Sequence, residues 1–138
     1  NGEMVNLVWS KIKSTGQLPN QIILNALIRH AIDSNDCDFI VPIIENMSSI
    51  NLYPTAINWP KLFSLTKNTK RTSFENGMYL YYKMKETEFK PNLQVYSILL
   101  GNCLVNSNKK DAQFLLEEIK EYKLTPDEKI KKIISKFK

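Results

Sequence analysis

VNLVWSKIKSTGQLPN at residues 5–20, IVPIIENMSSINLYPT at 40–55, GMYLYYKMKETEFKPN at 77–92 and AQFLLEEIKEYKLTPD at 112–127 are versions of one pattern. Each ends one residue after a proline: Pro19, Pro54, Pro91 and Pro126 are spaced by 35, 37 and 35 residues. Seven residues before each proline stands a large apolar residue, Ile12, Met47, Met84 or Ile119, and seven before those stand Val5, Ile40, Gly77 and Ala112. Between the two marks lie Val8-Trp9, Ile43-Ile44, Leu80-Tyr81 and Leu115-Leu116. These columns sit at the spacings that share one face of an α-helix, so each stretch predicts a helix that a proline ends. Self-similarity at such a period is the mark of a repeat architecture.

A second set of helices follows the prolines. Asn20, Thr55, Asn92 and Asp127 come next in the chain, and all are residue types that cap a helix N-terminus. Apolar residues at helical spacing continue from them: Ile23, Leu24, Leu27 and Ile28; Trp59, Leu62 and Phe63; Tyr96, Leu99 and Leu100; Ile130, Ile133, Ile134 and Phe137. Polar breaks at 33–36, 67–70 and 106–108 separate the paired helices. Gly16 and Asn51 suit the left-handed conformation that ends a helix, whereas Glu88 and Lys123 fill the same slot later. Pro42 falls within a proposed helix, and with a cap at Asn35 or Asp36 it predicts a bend rather than a break.

The expected fold is therefore all-α: a right-handed α-solenoid of antiparallel helix-turn-helix repeats about 35 residues long. Its units are a half repeat at 1–20, repeats at 21–55, 56–92 and 93–127, and a partial repeat or capping helix at 128–138. Asn1-Gly2-Glu3 carries no start Met, basic n-region or apolar run, so no targeting segment is visible and the chain reads as a mature form or an excised piece.

Nineteen Lys and Arg against fourteen Asp and Glu give +5, a balance compatible with a polyanionic partner without demanding one. No apolar run approaches a membrane span. Cys37 and Cys103 form no CxxC pair and have no histidine cluster nearby in sequence, which argues for free thiols over a disulfide or zinc site. His30 is the single histidine, and Gly2, Gly16, Gly77 and Gly101 make no phosphate-cradling loop. Asp33, Asp36 and Asp38 lack the glycine and terminal glutamate of a calcium loop. No catalytic constellation, cofactor motif, metal set or small-molecule substrate site stands out.

The repeat resembles the pentatricopeptide family. The resemblance rests on Leu80-Tyr81, Met84 and Pro91-Asn92, on Ala112, Leu115-Leu116, Ile119 and Pro126-Asp127, and on Pro19-Asn20 with Asn25-Ala26-Leu27-Ile28. The tetratricopeptide pattern W-x2-L-G-x2-Y is absent. The resemblance implies that the helix after each proline, the first of its repeat, lines a concave surface and takes one base of single-stranded RNA per repeat. In that family the fifth and last residues of a repeat read the base and the second packs on its face. Carried over, repeat 21–55 offers Asn25, Thr55 and Ile22, a set that leans toward pyrimidines. Repeat 56–92 offers Asn92 and Ile57, with the non-polar Pro60 at its fifth place. Repeat 93–127 offers Ser97, Asp127 and Gln94, of which Ser with Asp suits guanine. Each has a plainer alternative: Asn25 as a polar surface residue, Ser97 bonding back to its own helix, and Thr55, Asn92 and Asp127 as caps.

Arg29, Lys61, Lys67, Lys70 and Arg71 are candidates for phosphate contact. Lys129, Lys131, Lys132, Lys136 and Lys138 alternate with apolar residues, as the solvated face of an amphipathic end helix would. The resemblance further implies a mitochondrial matrix protein acting in RNA processing, stability or translation, with ribosomal or other ribonucleoprotein partners. The other class left open is a helical protein-protein scaffold in which Trp9, Trp59, Phe63 and Tyr82 are contacts rather than core.

Overall fold

The structure, a computed structural model, describes Ser10, residues 20–67 and residues 71–137, with side chains at 71–73 outside that description. The half repeat expected before Asn20, with Val5, Val8, Trp9, Ile12 and Gly16, lies outside the described residues, as do Lys70 and Lys138. The described residues are all-helical, consistent with a helical repeat solenoid. They form α1 (Gln21–Asp33), α2 (Cys37–Ser48), α3 (Asn58–Leu65), α4 (Arg71–Lys85), α5 (Leu93–Val105), α6 (Lys109–Glu121) and α7 (Glu128–Ser135). They divide into two compact units, Asn1–Leu65 and Thr66–Lys138. No described helix is long and apolar enough to cross a membrane.

In the first unit, α1 packs against both α2 and α3. Its core is Leu24, Ile28 and Ala31 from α1, Phe39, Ile40, Ile43, Ile44 and Met47 from α2, and Trp59, Leu62 and Phe63 from α3. Asn20 caps α1 by accepting from the Ile23 amide, and Asp36 caps α2 by accepting from the Phe39 amide. α2 runs through Pro42 as one helix, and the Asn46 side chain donates to the Pro42 carbonyl. Thr55 departs from the capping expectation. α3 begins at Asn58, and Thr55 contributes its backbone carbonyl, which accepts from the amides of Asn58 and Trp59. The late start places Pro60 in the first turn, where a missing N–H does no harm.

The second unit is built around α5, which packs against α4, α6 and α7. Val95 through Leu100, with Asn102 and Cys103, are buried, so α5 is covered on nearly every side, as its run of apolar residues requires. At Gly77 a side chain would meet Leu99 Cδ2 at 3.1 Å, so the missing Cβ lets α4 approach α5 closely. The Asn102 amide donates to the Thr66 carbonyl at 3.0 Å, joining α5 to the segment that opens this unit.

Helices in both units end in the same six-to-one backbone bond, with a left-handed residue before its donor. Asn35, Asn51, Ser107 and Lys123 have φ of 53, 63, 53 and 58, and the next amides reach back to Ala31, Met47, Cys103 and Ile119. Asn51 was legible as such a terminator, while Lys123 adopts the conformation without the residue type that favours it.

A polar cluster sits within the second unit's core. Glu118 of α6 is buried and pairs with Lys85 of α4. The Tyr81 hydroxyl donates to Glu118 Oε1 at 3.3 Å and lies 3.0 Å from the Tyr96 hydroxyl, so Tyr96 is the donor in that second bond. Burial pushes Tyr81 well above its ordinary value and Tyr96 up to about 12. Burial works against the Lys85 charge, but the hydrogen bond and charge of Glu118 outweigh it and push its pKa up. Burial also pushes the Cys103 thiol up to about 12, and both cysteines are free thiols.

Tyr81, Tyr96 and Lys85 keep their protons longer in the folded state than in the unfolded chain. Their contribution is complete below the unfolded values of 10.0 for tyrosine and 10.5 for lysine, and is lost as pH rises through the folded ones. The urea midpoint should fall above pH ~10, with Tyr81 and Tyr96 gaining phenolate absorbance only as the unit unfolds. Glu118→Gln should lower the unfolding free energy by about 1–3 kcal/mol and remove the Lys85 part of that alkaline loss.

Candidate functional site

Packing of one first helix against the next creates a groove in each unit. In the first unit, α1 and α3 leave a cavity of about 570 Å³ whose lining includes Asn25, Arg29, Thr55, Ile57, Asn58 and Lys61. Five of these six were named from sequence; Asn58 was not. Ile32 and Asp33 complete the wall, so two cations face one carboxylate there.

The first turns that frame this cavity are open. Ile22 is 78% exposed and Ile57 is 72% exposed, far more than side chains of their size usually are in a folded core. Ile22 lies in the first turn of α1 and Ile57 in the turn just before α3, each with its apolar side chain away from the core, at the positions that the resemblance assigns to base packing. Asn25 is exposed and accepts hydrogen bonds from Gln21 at 3.0 Å and, more weakly, from Asn58 at 3.5 Å. Arg29 and Lys61 are exposed, one on each helix.

In the second unit, α5 and α7 leave a smaller, more apolar cavity of about 270 Å³, lined by Ser97, Ile98, Gly101, Val105 and Ile133 with Lys67 and Lys129. Ser97 is 6% exposed, and its hydroxyl donates back to the Gln94 carbonyl at 2.9 Å, so its proton is committed within the helix. What it offers the cavity is oxygen lone pairs. Gln94 is exposed on the first turn of α5. Asn92 and Asp127 are exposed caps whose Oδ1 atoms accept from Val95 at 3.0 Å and Ile130 at 2.9 Å. Capping uses one oxygen of Asp127 and leaves the Asn92 amide nitrogen and the other Asp127 oxygen for a ligand.

Other candidates fall elsewhere. Pro60 is half-buried. Arg71 opens α4, and its side chain lies outside the described residues together with Lys70. The His30 and Phe39 rings meet edge-to-face with centroids 5.2 Å apart, a packing contact between α1 and α2. Trp59 and Phe63 are fully buried, which removes them as partner contacts; Tyr82 is 51% exposed beside Phe114. Ile130 of α7 is buried while Lys129, Lys131, Lys132 and Lys136 are exposed, giving the amphipathic end helix its solvated basic side.

Residues 79–128 match the family model of the pentatricopeptide repeat domain. That segment is similar to a pentatricopeptide repeat. It spans the end of α4, all of α5 and α6 and the opening of α7, and it contains the Leu80-Tyr81, Met84, Pro91-Asn92 and Pro126-Asp127 marks. Pentatricopeptide proteins are helical-repeat, RNA-binding and generally non-enzymatic. No curated protein matches the chain.

The caps separate stability from any ligand role at one position. Asp127→Ala should lower the stability of the second unit by ~1 kcal/mol, whereas Asp127→Asn should retain most of it. Thermal melts of the two variants check this, and an equal loss in both would mean that the carboxylate charge matters beyond the cap.

Proposed function

We propose that this chain binds single-stranded RNA along the first turns of α1, α3, α5 and α7, with one base per repeat. The observation that carries the proposal is the cavity between α1 and α3. It brings together a polar side chain for a base edge, Asn25, an exposed apolar face, Ile57, and two cations, Arg29 and Lys61. Those are the parts single-stranded recognition uses: edge hydrogen bonds, contact with the base face and neutralised phosphates.

Within this proposal the three repeats differ. Repeat 21–55 uses Asn25 with Thr55 and holds the base between Ile22 and Ile57. Repeat 56–92 has Pro60 at the fifth place, so only Asn92 is left to meet an edge, and it adds contact without selectivity. Repeat 93–127 uses Ser97 and Asp127 as paired acceptors, which suits the N–H donors of guanine, with Gln94 at the packing place. Lys67 and Lys129 border the same cavity and supply phosphate contacts. The setting we propose is a longer mitochondrial matrix protein that processes, stabilises or helps translate organellar transcripts.

Magnitudes limit what the isolated chain does. Each stacked base contributes ~1–3 kcal/mol, so three give roughly millimolar to micromolar binding. Specific targeting then rests on further repeats. Fluorescence anisotropy with short single-stranded RNAs should show weak binding that falls with salt. The double variant Arg29→Ala and Lys61→Ala should reduce the slope of log K against log salt by roughly 1.4, at about 0.7 per phosphate contact. A salt-insensitive chain, or one that prefers duplex to single strand, would favour a protein scaffold instead.

A further inference from the structure

Gln21 opens α1 one turn before Asn25. Its amide nitrogen lies 3.0 Å from Asn25 Oδ1 and 3.1 Å from the backbone carbonyl of Tyr53. A side-chain amide can be turned either way round, and only its partners decide which end is which. Here the Tyr53 carbonyl decides, because it can only accept. The atom facing it must be the NH2 of Gln21, whose second hydrogen then points to Asn25. Asn25 must answer with its oxygen, and the Asn58 amide, 3.5 Å away, adds a weaker donor to that same oxygen.

The constraint therefore runs from a main-chain carbonyl through Gln21 to the polarity of Asn25. Its oxygen is engaged by both donors. Its NH2 group, with no hydrogen-bond partner among the described residues, is the end left for a ligand at the cavity that Asn25 lines with Thr55 and Ile57.

We propose that Gln21 is a positioning residue for base selection, holding the Asn25 amide donor-outward. The repeat then favours a base presenting a carbonyl at that point, uracil or guanine, over one presenting an exocyclic amine, cytosine or adenine. This rests on the RNA-binding proposal and adds to it the residue that sets the sense of the reading. Two donors facing each other cannot both be satisfied, and that conflict rejects the amine-bearing bases.

Selection from a randomised pool of short single-stranded RNAs, run on the unsubstituted chain, Gln21→Leu and Gln21→Glu, tests the idea. Leucine removes the tether. Glutamate accepts but cannot donate, so it draws in the NH2 of Asn25 and turns the oxygen outward, while an acidic residue in the first turn suits the helix. The unsubstituted chain should show one position with a roughly tenfold preference for uracil or guanine. Gln21→Leu should lose it, and Gln21→Glu should move it toward cytosine or adenine, with the other positions unchanged. A carbonyl preference kept in both variants, or a change spread over every position, overturns the proposal. If the unsubstituted chain selects no RNA at all, it is the RNA-binding proposal that fails.

Discussion

A first helix in this protein has two obligations that it meets on different faces. It must bury one apolar face against its hairpin partner and another against the first helix of the next repeat, as α1 does with α2 and α3, and α5 with α6 and α7. No hairpin of this size can cover both faces alone, so neighbours complete each other's core. In the first unit, what remains uncovered lies at the start of each first helix. Ile22, in the first turn of α1, and Ile57, just before α3, stay exposed while Leu24, Ile28, Trp59 and Leu62, a few residues on, are fully buried. The surface available for a ligand follows from how the repeats close their cores.

The same economy explains the contrast between the two grooves. In the first unit the wall between α1 and α3 is polar and cationic, with Asn25, Asn58, Arg29 and Lys61. In the second, α5 is so completely enclosed that its cavity-facing residues are mostly apolar, and Ser97 turns its hydroxyl back on the helix. An enclosed helix gains core and leaves fewer polar groups on its open side. The cluster of Lys85, Glu118, Tyr81 and Tyr96 ties α4, α5 and α6 together with directional bonds where apolar contact alone would permit sliding.

Much of this was visible in the sequence because periodicity and proline act locally. The columns around Met47, Met84 and Ile119 marked the second helices, and Asn20, Asp36, Asn92 and Asp127 marked caps; the pentatricopeptide marks from Leu80 to Asp127 fall inside the segment that matches that family, while Pro19-Asn20 and Asn25 to Ile28 lie outside it. Thr55 misled because capping residues are common in turns, and the helix it was meant to start waits until Asn58. The left-handed Lys123 and Ser107 were hidden since their residue types do not advertise that conformation. Glu118 reads as a surface residue until Lys85, 33 positions away, is folded beside it. Asn58 and the carbonyl of Tyr53 reach the Asn25 site only through tertiary packing, so no local pattern could name them.

The central claim is that nucleobases meet the opening turns of the first helices. Backbone and side-chain amide NMR of the chain titrated with a short single-stranded RNA tests it residue by residue. Shifts concentrated at Ile22, Asn25, Ile57, Ser97 and their neighbours on α1, α3, α5 and α7 are the expected result. Shifts confined to α2, α4 and α6, or a spectrum that RNA leaves unmoved, would contradict it.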